Sequence, residues 1–382
     1  TLMRSSAASD VYKRQIQKFP LINLCVIQMN YKFITSESLE FLEQLLKQPS
    51  TSGGEKAIAE LYTSYMSSYG NTMIDNMYNS CCVINPASEF KIMLDAHYDE
   101  VGLQVVHIAD NGFIYFRRNG WIDHLTLLGQ EVTIIGKKKN IDGVIGKKPI
   151  HLSKPDDKNP DIDDMWIDTG LNSREEVVKY VSVGDLIVYK SNVKFMGDER
   201  IISKGLDDKI GVFIISQVIK QLAISKINLN VGIYGCASAQ EEVGGRGCII
   251  MSHRIKPNIA FCLDVGFSTD IPGLPETKYG HMYLGEGVVI CHSCDNNKEM
   301  TELLEKVAIE NEIPYQPYTT LSPTGGTDTC KIQLIDEGVK TALLAIPNRY
   351  MHTPIEMCDL RDVDAAIGLL FKVILALNKD LS

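Results

Sequence analysis

The sequence predicts an α/β fold in which a mixed sheet carries helices on both faces and a small β-barrel is inserted into the chain. Apolar runs typical of buried strands alternate with helical patterns at both ends of the chain. Between about residues 105 and 194 this alternation gives way to short β-type runs separated by glycine turns. With 382 residues, 45% of them hydrophobic and 23% charged, the chain can form one large domain and a smaller one.

The first 28 residues are predicted to be an artefact that is foreign to the natural protein. The stretch SSAASDVYKRQ, residues 5 to 15, matches the in-frame translation of a common sequencing-library adapter. The segment IQKFPLINLCVIQ that follows has the apolar character of a signal-peptide core, but it is short and lacks a cleavage site of small residues. We therefore expect the natural chain to start at Met29 and to be cytoplasmic.

The first part of the main domain is predicted to cover residues 29–104. SESLEFLEQLLK has apolar residues at helical spacing, and EKAIAELYTSYMSS repeats that pattern after a Ser-Gly-Gly break. CCVI and KIMLDA then predict two buried strands. The inserted barrel, residues 105–194, is predicted from LQVVHI and FIYFR, joined by the turn ADNG, and from GQEVTIIG, IDGVIG and DLIVYK.

The second part of the main domain is predicted to cover residues 195–382. DDKIGVFIISQVIKQL, MTELLEKVAIENE and DVDAAIGLLFKVILALN have helical patterns, whereas NLNVGIYGCAS, NIAFCLDVG and TALLAIP are typical of buried strands. This alternation indicates a largely buried sheet covered by helices on both faces.

Composition and charge exclude several classes of protein. A net charge of −10 and scattered Lys and Arg residues argue against nucleic-acid binding. No window approaches the length of uninterrupted apolar residues that a membrane span needs. The ten cysteines are dispersed and lack zinc-knuckle spacing, so we expect reduced thiols.

Ionisable side chains follow several predicted strands, at the edge where open α/β sheets bind ligands. They occur in five segments: LDAHYDEVG with His97, Asp99 and Glu100; KGLDDKIG with Asp207 and Asp208; SAQEEVGGRG with Glu241 and Glu242; AFCLDVG with Asp264; and IPNRYMHTP with His352. Each segment also has a structural interpretation, since such residues cap helices, favour helix starts or occupy turns.

The two acidic pairs, taken together, favour a metal centre. Adjacent carboxylates beside strongly apolar segments repel each other near a core unless a cation compensates them. Histidine together with carboxylates suits zinc, cobalt or manganese better than calcium, which prefers oxygen ligands alone. The sequence therefore predicts that divalent ions bind where these segments meet.

The motifs HYDEVG, LDDKIG, QEEVGGRG, LDVG and NRYMHTPIEM, in this order and with these gaps, resemble those of the tetrahedral-aminopeptidase family of dinuclear metallopeptidases. That family includes glutamyl, leucyl and lysyl aminopeptidases, and the resemblance covers about residues 32 to 378. It implies a fold like that of zinc peptidases. Lys209 is one departure, because the family usually has arginine there; lysine keeps the charge but loses the planar fork.

Carried over residue by residue, the resemblance implies two divalent ions, zinc or cobalt, with manganese as a further candidate. Five residues would hold them: His97 and Asp264 at one ion, Glu242 and His352 at the other, and Asp207 as a bridge between them. Asp99 would orient the imidazole of His97. Glu241 would be the general base, and Glu100 would support its loop through hydrogen bonds.

The activity that the resemblance implies is hydrolysis of N-terminal residues from short peptides, through a metal-bridging water activated by Glu241. Family members form dimers and twelve-subunit shells, so we expect this chain to self-associate through its barrel. Asp328, in PTGGTDTC, is a candidate for the substrate-binding site near the first residue of the peptide. It fits a turn acid after Gly325 and Gly326 equally well.

Two other functions stay open at the level of the sequence. A dinuclear amidase or deacylase would use the same centre on amides other than peptides, and would prefer acetylated substrates to free amines. A catalytically silent scaffold would keep the fold for assembly, and its melting temperature would not respond to zinc or cobalt. Retention of every expected ligand argues against the scaffold, because buried charges lower stability when no cation compensates them.

Overall fold

The computed structural model describes residues 31–152 and 161–380. The predicted foreign leader, residues 1–28, and the predicted start at Met29 lie outside them. The strands in the described residues are β1 (Asn71–Ile74), β2 (Ser80–Ile84), β3 (Lys91–His97), β4 (Gly102–Ile108), β5 (Ile114–Asn119), β6 (Glu131–Ile134), β7 (Ile141–Gly146), β8 (Trp166–Asp168), β9 (Leu186–Tyr189), β10 (Lys194–Met196), β11 (Arg200–Ser203), β12 (Gly232–Ser238), β13 (Ile259–Phe267), β14 (Val288–His292), β15 (Tyr315–Thr319), β16 (Lys340–Asn348) and β17 (Glu356–Asp359).

The helices follow the patterns read from the sequence, with short additional turns between strands. In chain order they are α1 (Ser36–Lys47), α2 (Lys56–Met66), α3 (Arg174–Val177), α4 (Leu206–Ser225), α5 (Arg246–Ile255), α6 (Glu276–Tyr279), α7 (Lys298–Glu310), α8 (Thr329–Ile332) and α9 (Leu360–Asp380). Among the described residues, no helix combines the length and the hydropathy that crossing a bilayer requires.

The beginning of α1 shows how local chemistry sets an element. Thr35 is its N-cap, and its hydroxyl accepts a hydrogen bond from the backbone N–H of Ser38 at 3.1 Å. The Ser38 hydroxyl accepts from the N–H of Thr35 at 2.8 Å, so two N–H groups without helical partners are satisfied. Leu42, Leu45 and Leu46 are fully buried on one face. The predicted helix is confirmed.

The main sheet has eight strands in the order β1-β2-β12-β3-β13-β16-β14-β15. Its centre, β12-β3-β13-β16, is parallel. β2 pairs antiparallel with β12 on one side, and β14 pairs antiparallel with β16 on the other. The prediction of a mixed sheet is therefore confirmed.

Helices cover both faces of this sheet, as β12 shows at two successive residues. A Cβ atom at Gly235 would lie 2.8 Å from Cγ1 of Ile219, so α4 packs directly over this glycine. Cys236 points to the opposite face and belongs to an apolar cluster with Cys248 and Met251 of α5. This confirms the predicted arrangement of helices.

The inserted segment forms a closed barrel with the strand order β4-β5-β8-β7-β6-β9. Its pairs are antiparallel, and the circle closes where Leu103 of β4 lies opposite Ile187 of β9. The interior is an apolar cluster drawn from residues between Val101 and Tyr189. The predicted barrel is confirmed, whereas the domain boundaries at residues 105 and 194 stay a prediction.

A third, three-stranded sheet has the order β10-β11-β17, which the sequence patterns did not indicate. Both of its pairings are antiparallel, and Ser203 of β11 lies opposite Glu356 of β17. The sheet connects the segment before α4 to the segment after β16. It therefore brings two segments that carry ionisable residues close to the end of the main sheet.

Candidate metal centre

The predicted site residues meet at the carboxyl ends of the central parallel strands. His97 is the last residue of β3 and lies in register with Ser238, the last residue of β12. Glu241 and Glu242 follow in the turn after β12, and His352 lies in the turn after β16. This edge is where parallel sheets of α/β proteins bind ligands.

One group of candidate ligands consists of His97, Asp207 and Asp264, all of them buried. The Nε2 atom of His97 lies 3.1 Å from Oδ1 of Asp207 and 3.8 Å from Oδ1 of Asp264. One ligand atom from each residue falls within 4.8 Å of the others. Asp264 lies inside β13, which continues three residues beyond it to Phe267.

A second group consists of Asp207, Glu242 and His352. The Nε2 atom of His352 lies 3.1 Å from Oδ2 of Asp207 and 3.5 Å from Oε2 of Glu242. Asp207 therefore presents one carboxylate oxygen to each histidine and belongs to both groups. The structure brings together all five residues for which the resemblance implied metal ligation.

The charges at this edge suit bound cations. Burial raises the pKa of Glu242 well above its usual range, and Asp207 raises it further. Burial also raises the pKa of Asp264 to about 7, again with a contribution from Asp207. Oε1 of Glu242 and Oδ2 of Asp208 are buried without a hydrogen-bond partner. A divalent ion would compensate the charges of these buried carboxylates, so the residues fit such ions.

His97 is held by its other ring nitrogen. Burial alone would lower the pKa of His97, but Asp207 and Asp99 raise it well above the usual value. Nδ1 lies 3.1 Å from the backbone carbonyl of Asp99, and a carbonyl can only accept a hydrogen bond. Nδ1 therefore carries hydrogen, and Nε2 faces the carboxylates as the atom available for a metal.

The carboxylate of Asp99 contacts the turn that carries the glutamate pair. It accepts hydrogen bonds from the backbone N–H of Glu241 at 2.9 Å and of Glu242 at 3.2 Å. It also accepts from the hydroxyl of Ser52 at 2.7 Å, whereas its nearest oxygen lies 3.5 Å from Nδ1 of His97. Asp99 thus holds the glutamate turn more directly than it holds the imidazole.

Glu241 lies at the centre without belonging to either ligand group. Its Oε2 atom is 3.9 Å from Nε2 of His97. Burial raises the pKa of Glu241 well above the usual range, His97 opposes this, and Asp328 adds to it. A raised pKa and a place beside the ligands suit a group that accepts and returns a proton.

Glu100 and Lys209 form a buried ionic cluster next to this edge. Glu100 accepts from Nζ of Lys204 at 2.6 Å, from Nζ of Lys209 at 3.0 Å and from the backbone N–H of Ser50 at 3.1 Å. Burial would raise the pKa of Glu100, but the two lysines lower it to about 2. Lys209 also donates to the carbonyl of Gln48 at 2.9 Å. Lys209 thus anchors this region through hydrogen bonds to two different acceptors, without the planar fork that arginine would provide.

Asp328 precedes α8 and is buried, with 5% of its surface exposed. A Cβ atom at Gly245 would lie 3.2 Å from Oδ1 of Asp328, so this carboxylate lies directly beneath the glutamate turn. Burial raises the pKa of Asp328 well above its usual range, and Asp95 adds to this. A contribution of Asp328 to substrate binding stays a prediction.

Glu356 is a site residue that sequence reasoning did not single out. It is buried, and its carboxylate accepts hydrogen bonds from the backbone N–H groups of Asp207 and His352. A signal for Glu356 was present in the sequence: it is an acid between apolar residues, in IEMC, and it lies four positions after the candidate ligand His352. Burial raises the pKa of Glu356 to about 8, and Asp207 adds to this.

Comparisons with known proteins match most of the chain. The family model described as M42 glutamyl aminopeptidase matches residues 79–369. The chain is 31% identical to lysyl aminopeptidase of Pyrococcus furiosus over 338 residues, covering 86% of this chain and 94% of that protein.

Two solved structures show the same fold at similar identity. A TET aminopeptidase from the archaeon Thaumarchaeota archaeon SCGC AB-539-E09 has a TM-score of 0.86 and 29% identity, covering 90% of this chain and 98% of that one. The TET1 peptidase of Pyrococcus horikoshii, which can assemble into a tetrahedron or a large octahedral shell, has a TM-score of 0.79 and 29% identity. That comparison covers 88% of this chain and 99% of the other.

Proposed function

Since this chain belongs to the M42 glutamyl aminopeptidase family, we propose that it is a dinuclear metal-dependent aminopeptidase that removes N-terminal residues from short peptides. The observation that carries the proposal is the pair of ligand groups that share Asp207, with Glu241 beside them but in neither. Hydrolysis of an amide needs metal ligation and proton transfer at the same site. This arrangement assigns the two functions to different residues of that site.

In the proposed centre, His97 and Asp264 would hold one divalent ion, Glu242 and His352 would hold the other, and Asp207 would serve both. Zinc and cobalt suit this mixture of imidazole and carboxylate ligands, and manganese is also compatible with it. When bound, such ions lower the pKa of water toward neutrality and polarise a carbonyl group.

Glu241 is the proposed general base. Its carboxylate takes a proton from the attacking water and returns it to the nitrogen of the leaving amine. Glu242 cannot share this task while it binds a metal, so adjacent glutamates divide the two roles. The backbone N–H groups of Glu241 and Glu242 donate hydrogen bonds to the carboxylate of Asp99. These bonds hold the turn from which both side chains extend toward the centre.

The substitution Glu241→Gln tests the proposal. We expect it to lower kcat on aminoacyl-arylamides about 10²- to 10⁴-fold, because glutamine cannot carry a proton. Metal content should not change, since Glu241 is in neither ligand group. Glu310→Gln on the exposed side of α7 is the control and should retain activity.

The assay compares chelated protein with protein to which zinc, cobalt or manganese is restored, on free-amine substrates and on their N-acetylated forms. Activity that needs metal and a free amine supports an aminopeptidase. Faster release from the acetylated forms would instead identify a deacylase. Absence of metal binding by the wild-type chain would contradict the proposal altogether.

We also propose that the chain assembles into a large oligomer through its barrel. Three large apolar side chains of the barrel segment are strongly exposed: Trp121 at 80%, Ile150 at 77% and Leu152 at 68%. Apolar groups this exposed are typical of surfaces that become buried on association. The TET1 peptidase noted above forms closed shells, and its chain has the same fold.

Light scattering after size exclusion tests the assembly. We expect the wild-type chain to elute as an oligomer and Ile150→Asp to elute as smaller species, because a buried charge opposes association. Ile309→Asp is the matched control, since Ile309 is 65% exposed but lies on α7. A monomeric wild-type chain at working concentration would refute the proposal.

We propose a cytoplasmic location because the cysteines that the structure describes are free thiols. The nine cysteines within residues 31–152 and 161–380 are all free thiols, and most are buried. Free thiols are typical of proteins in reducing compartments.

A further inference from the structure

One buried carboxylate connects the two segments that supply candidate ligands from outside the sheet. Oε2 of Glu356 accepts a hydrogen bond from the backbone N–H of Asp207 at 2.9 Å. Oε1 of the same residue accepts from the backbone N–H of His352 at 3.0 Å. Glu356 is only 1% exposed, so little water competes for either contact.

Neither of these N–H groups is held by regular structure. Asp207 has non-helical backbone angles at the start of α4, with ψ at 106°. His352 lies in the turn beyond β16 with φ at 60°, a left-handed conformation that disfavours residues other than glycine. A turn of this kind needs contacts that keep it in place, and Glu356 supplies one to the backbone of the ligand itself.

Glu356 is itself firmly placed. It begins β17, which pairs with β11 through Ser203. The neighbouring residue Met357 exchanges two backbone hydrogen bonds with Arg349, both at 3.0 Å, and so closes the base of the turn that contains His352. The guanidinium of Arg349 is fixed in turn by two hydrogen bonds to Asp270, at 2.7 and 2.5 Å.

We propose that Glu356 is a positioning residue that sets the spacing between Asp207 and His352 and thereby favours metal binding at the group Asp207–Glu242–His352. His97 and Asp264 lie in β3 and β13, where pairing with β12 and β16 places them. Asp207 belongs to both groups, so a shift of its backbone affects both sites, but only the site with His352 loses the position of two ligands. The loss of Glu356 therefore weakens that site more than the other. This inference rests on the proposed function only in requiring that the chain binds two divalent ions.

The test is a titration of the metal-free full-length chain with cobalt, followed by calorimetry and by the visible absorption of the bound ion. In Glu356→Gln one carboxylate oxygen becomes an amide nitrogen, which cannot accept a hydrogen bond from a backbone N–H. The affinity for one cobalt ion should fall about 10- to 100-fold, the usual effect of removing a partner of a metal ligand. The affinity for the other should change less than about 10-fold.

Asp362→Asn is the matched control. Asp362 is equally buried, and its two oxygens accept from the backbone N–H groups of Gly285 and Gly287 at 2.8 and 2.7 Å. It therefore makes the same kind of bridge at a place away from the ligand groups. This variant should bind both cobalt ions as the wild type does, even if its melting temperature falls.

The variants His97→Ala and His352→Ala identify which site each spectrum reports. The inference is supported if Glu356→Gln with one cobalt ion bound gives the spectrum of His352→Ala. It is overturned if Glu356→Gln binds two ions with wild-type affinities, or loses both equally while Asp362→Asn keeps both. Should Glu356→Gln not fold, Glu356→Asp, too short to reach both N–H groups, takes its place. A wild-type chain that binds no cobalt would overturn both the inference and the proposed function.

Discussion

At the scale of single residues, Asp99 joins three segments of the chain: the loop before α2, the end of β3 and the turn after β12. Its carboxylate accepts three hydrogen bonds, from Ser52, Glu241 and Glu242. Two of these come from the backbone of the candidate base and a candidate ligand. The position of both functional side chains therefore depends on a residue that need not touch substrate.

The substitution Asp99→Asn tests this dependence. Asparagine keeps one acceptor oxygen but places an amide donor toward a backbone N–H group, so at least one contact is lost. We expect the free energy of unfolding to fall by about 1–3 kcal/mol, the usual effect of leaving a buried polar group unsatisfied. Urea unfolding of the metal-free chain measures this effect, and kcat should fall as well.

Ser52→Ala is the comparison for that variant, because it removes one of the three contacts and leaves the glutamate turn attached to Asp99. It should retain most of the activity. If Ser52→Ala impaired kcat as strongly as Asp99→Asn, the contacts to the turn would not be the cause.

The residues that would hold the metals were predictable, whereas two residues that support the site from outside, Glu356 and Ser52, were not. His97 and Asp207 stand in motifs whose residue types suit metal binding, and the structure brings them together. Glu356 and Ser52 accept from or donate to groups far away in the sequence. The acid in IEMC is visible in the sequence, but its partner Asp207 is not, because that contact exists only after the chain has folded.

At the scale of elements, the turn between β12 and α5 depends on the absence of one side chain. A Cβ atom at Gly247 would lie 2.3 Å from the backbone oxygen of Ala239 and 2.1 Å from Oδ1 of Asn79. The N–H of Gly247 donates to that same oxygen at 2.9 Å, which closes the turn that carries Glu241 and Glu242.

The substitution Gly247→Ala should therefore displace this turn, whereas Gly235→Ala provides a matched control. At Gly235 an added Cβ meets only side chains of α4, at 2.8 and 3.0 Å. Both variants should lose about 1–3 kcal/mol of stability through overpacking. Only Gly247→Ala should also lose cobalt affinity, which calorimetry measures. Equal loss of affinity in both would contradict this role of the turn.

The long elements were the predictable ones. α9 has sustained apolar periodicity, α4 is a long and largely apolar segment, and β3 and β16 contain uninterrupted apolar runs, so their type could be read from the sequence. The strands β10, β11 and β17 have only three or four residues each. Their pairing is decided by the rest of the fold.

At the scale of the whole molecule, the buried carboxyls make stability depend on pH when metal is absent. Burial raises the pKa of Glu55 to about 7 from 4.5 and that of Asp264 to about 7 from 3.8. Between pH 5 and 7 the folded chain therefore keeps protons that the unfolded chain has released. When the folded state binds more protons, stability falls as pH rises.

We expect the melting temperature of the chelated chain to fall from pH 5 to pH 7, and zinc to raise it more at pH 7 than at pH 5, because metal replaces the protons. Metal at about 100 times its Kd adds about 2.7 kcal/mol. Glu100 does not contribute to the change in stability between pH 5 and pH 7, because its pKa of about 2 means that it takes up protons only at lower pH. Scanning calorimetry makes the measurement, and a melting temperature that rises with pH in the chelated chain would refute the expectation.

The closure of the barrel has a consequence for how the two halves of the main sheet find each other during folding. The chain leaves the main sheet after His97 and re-enters it at β12, and between these points β4 and β9 lie side by side with Leu103 opposite Ile187. Once those strands pair, the residues between Leu103 and Ile187 no longer contribute to the effective loop between the halves, which becomes much shorter. Because the entropy lost on closing a loop grows with its length, early formation of the barrel lowers the cost of assembling the sheet around it.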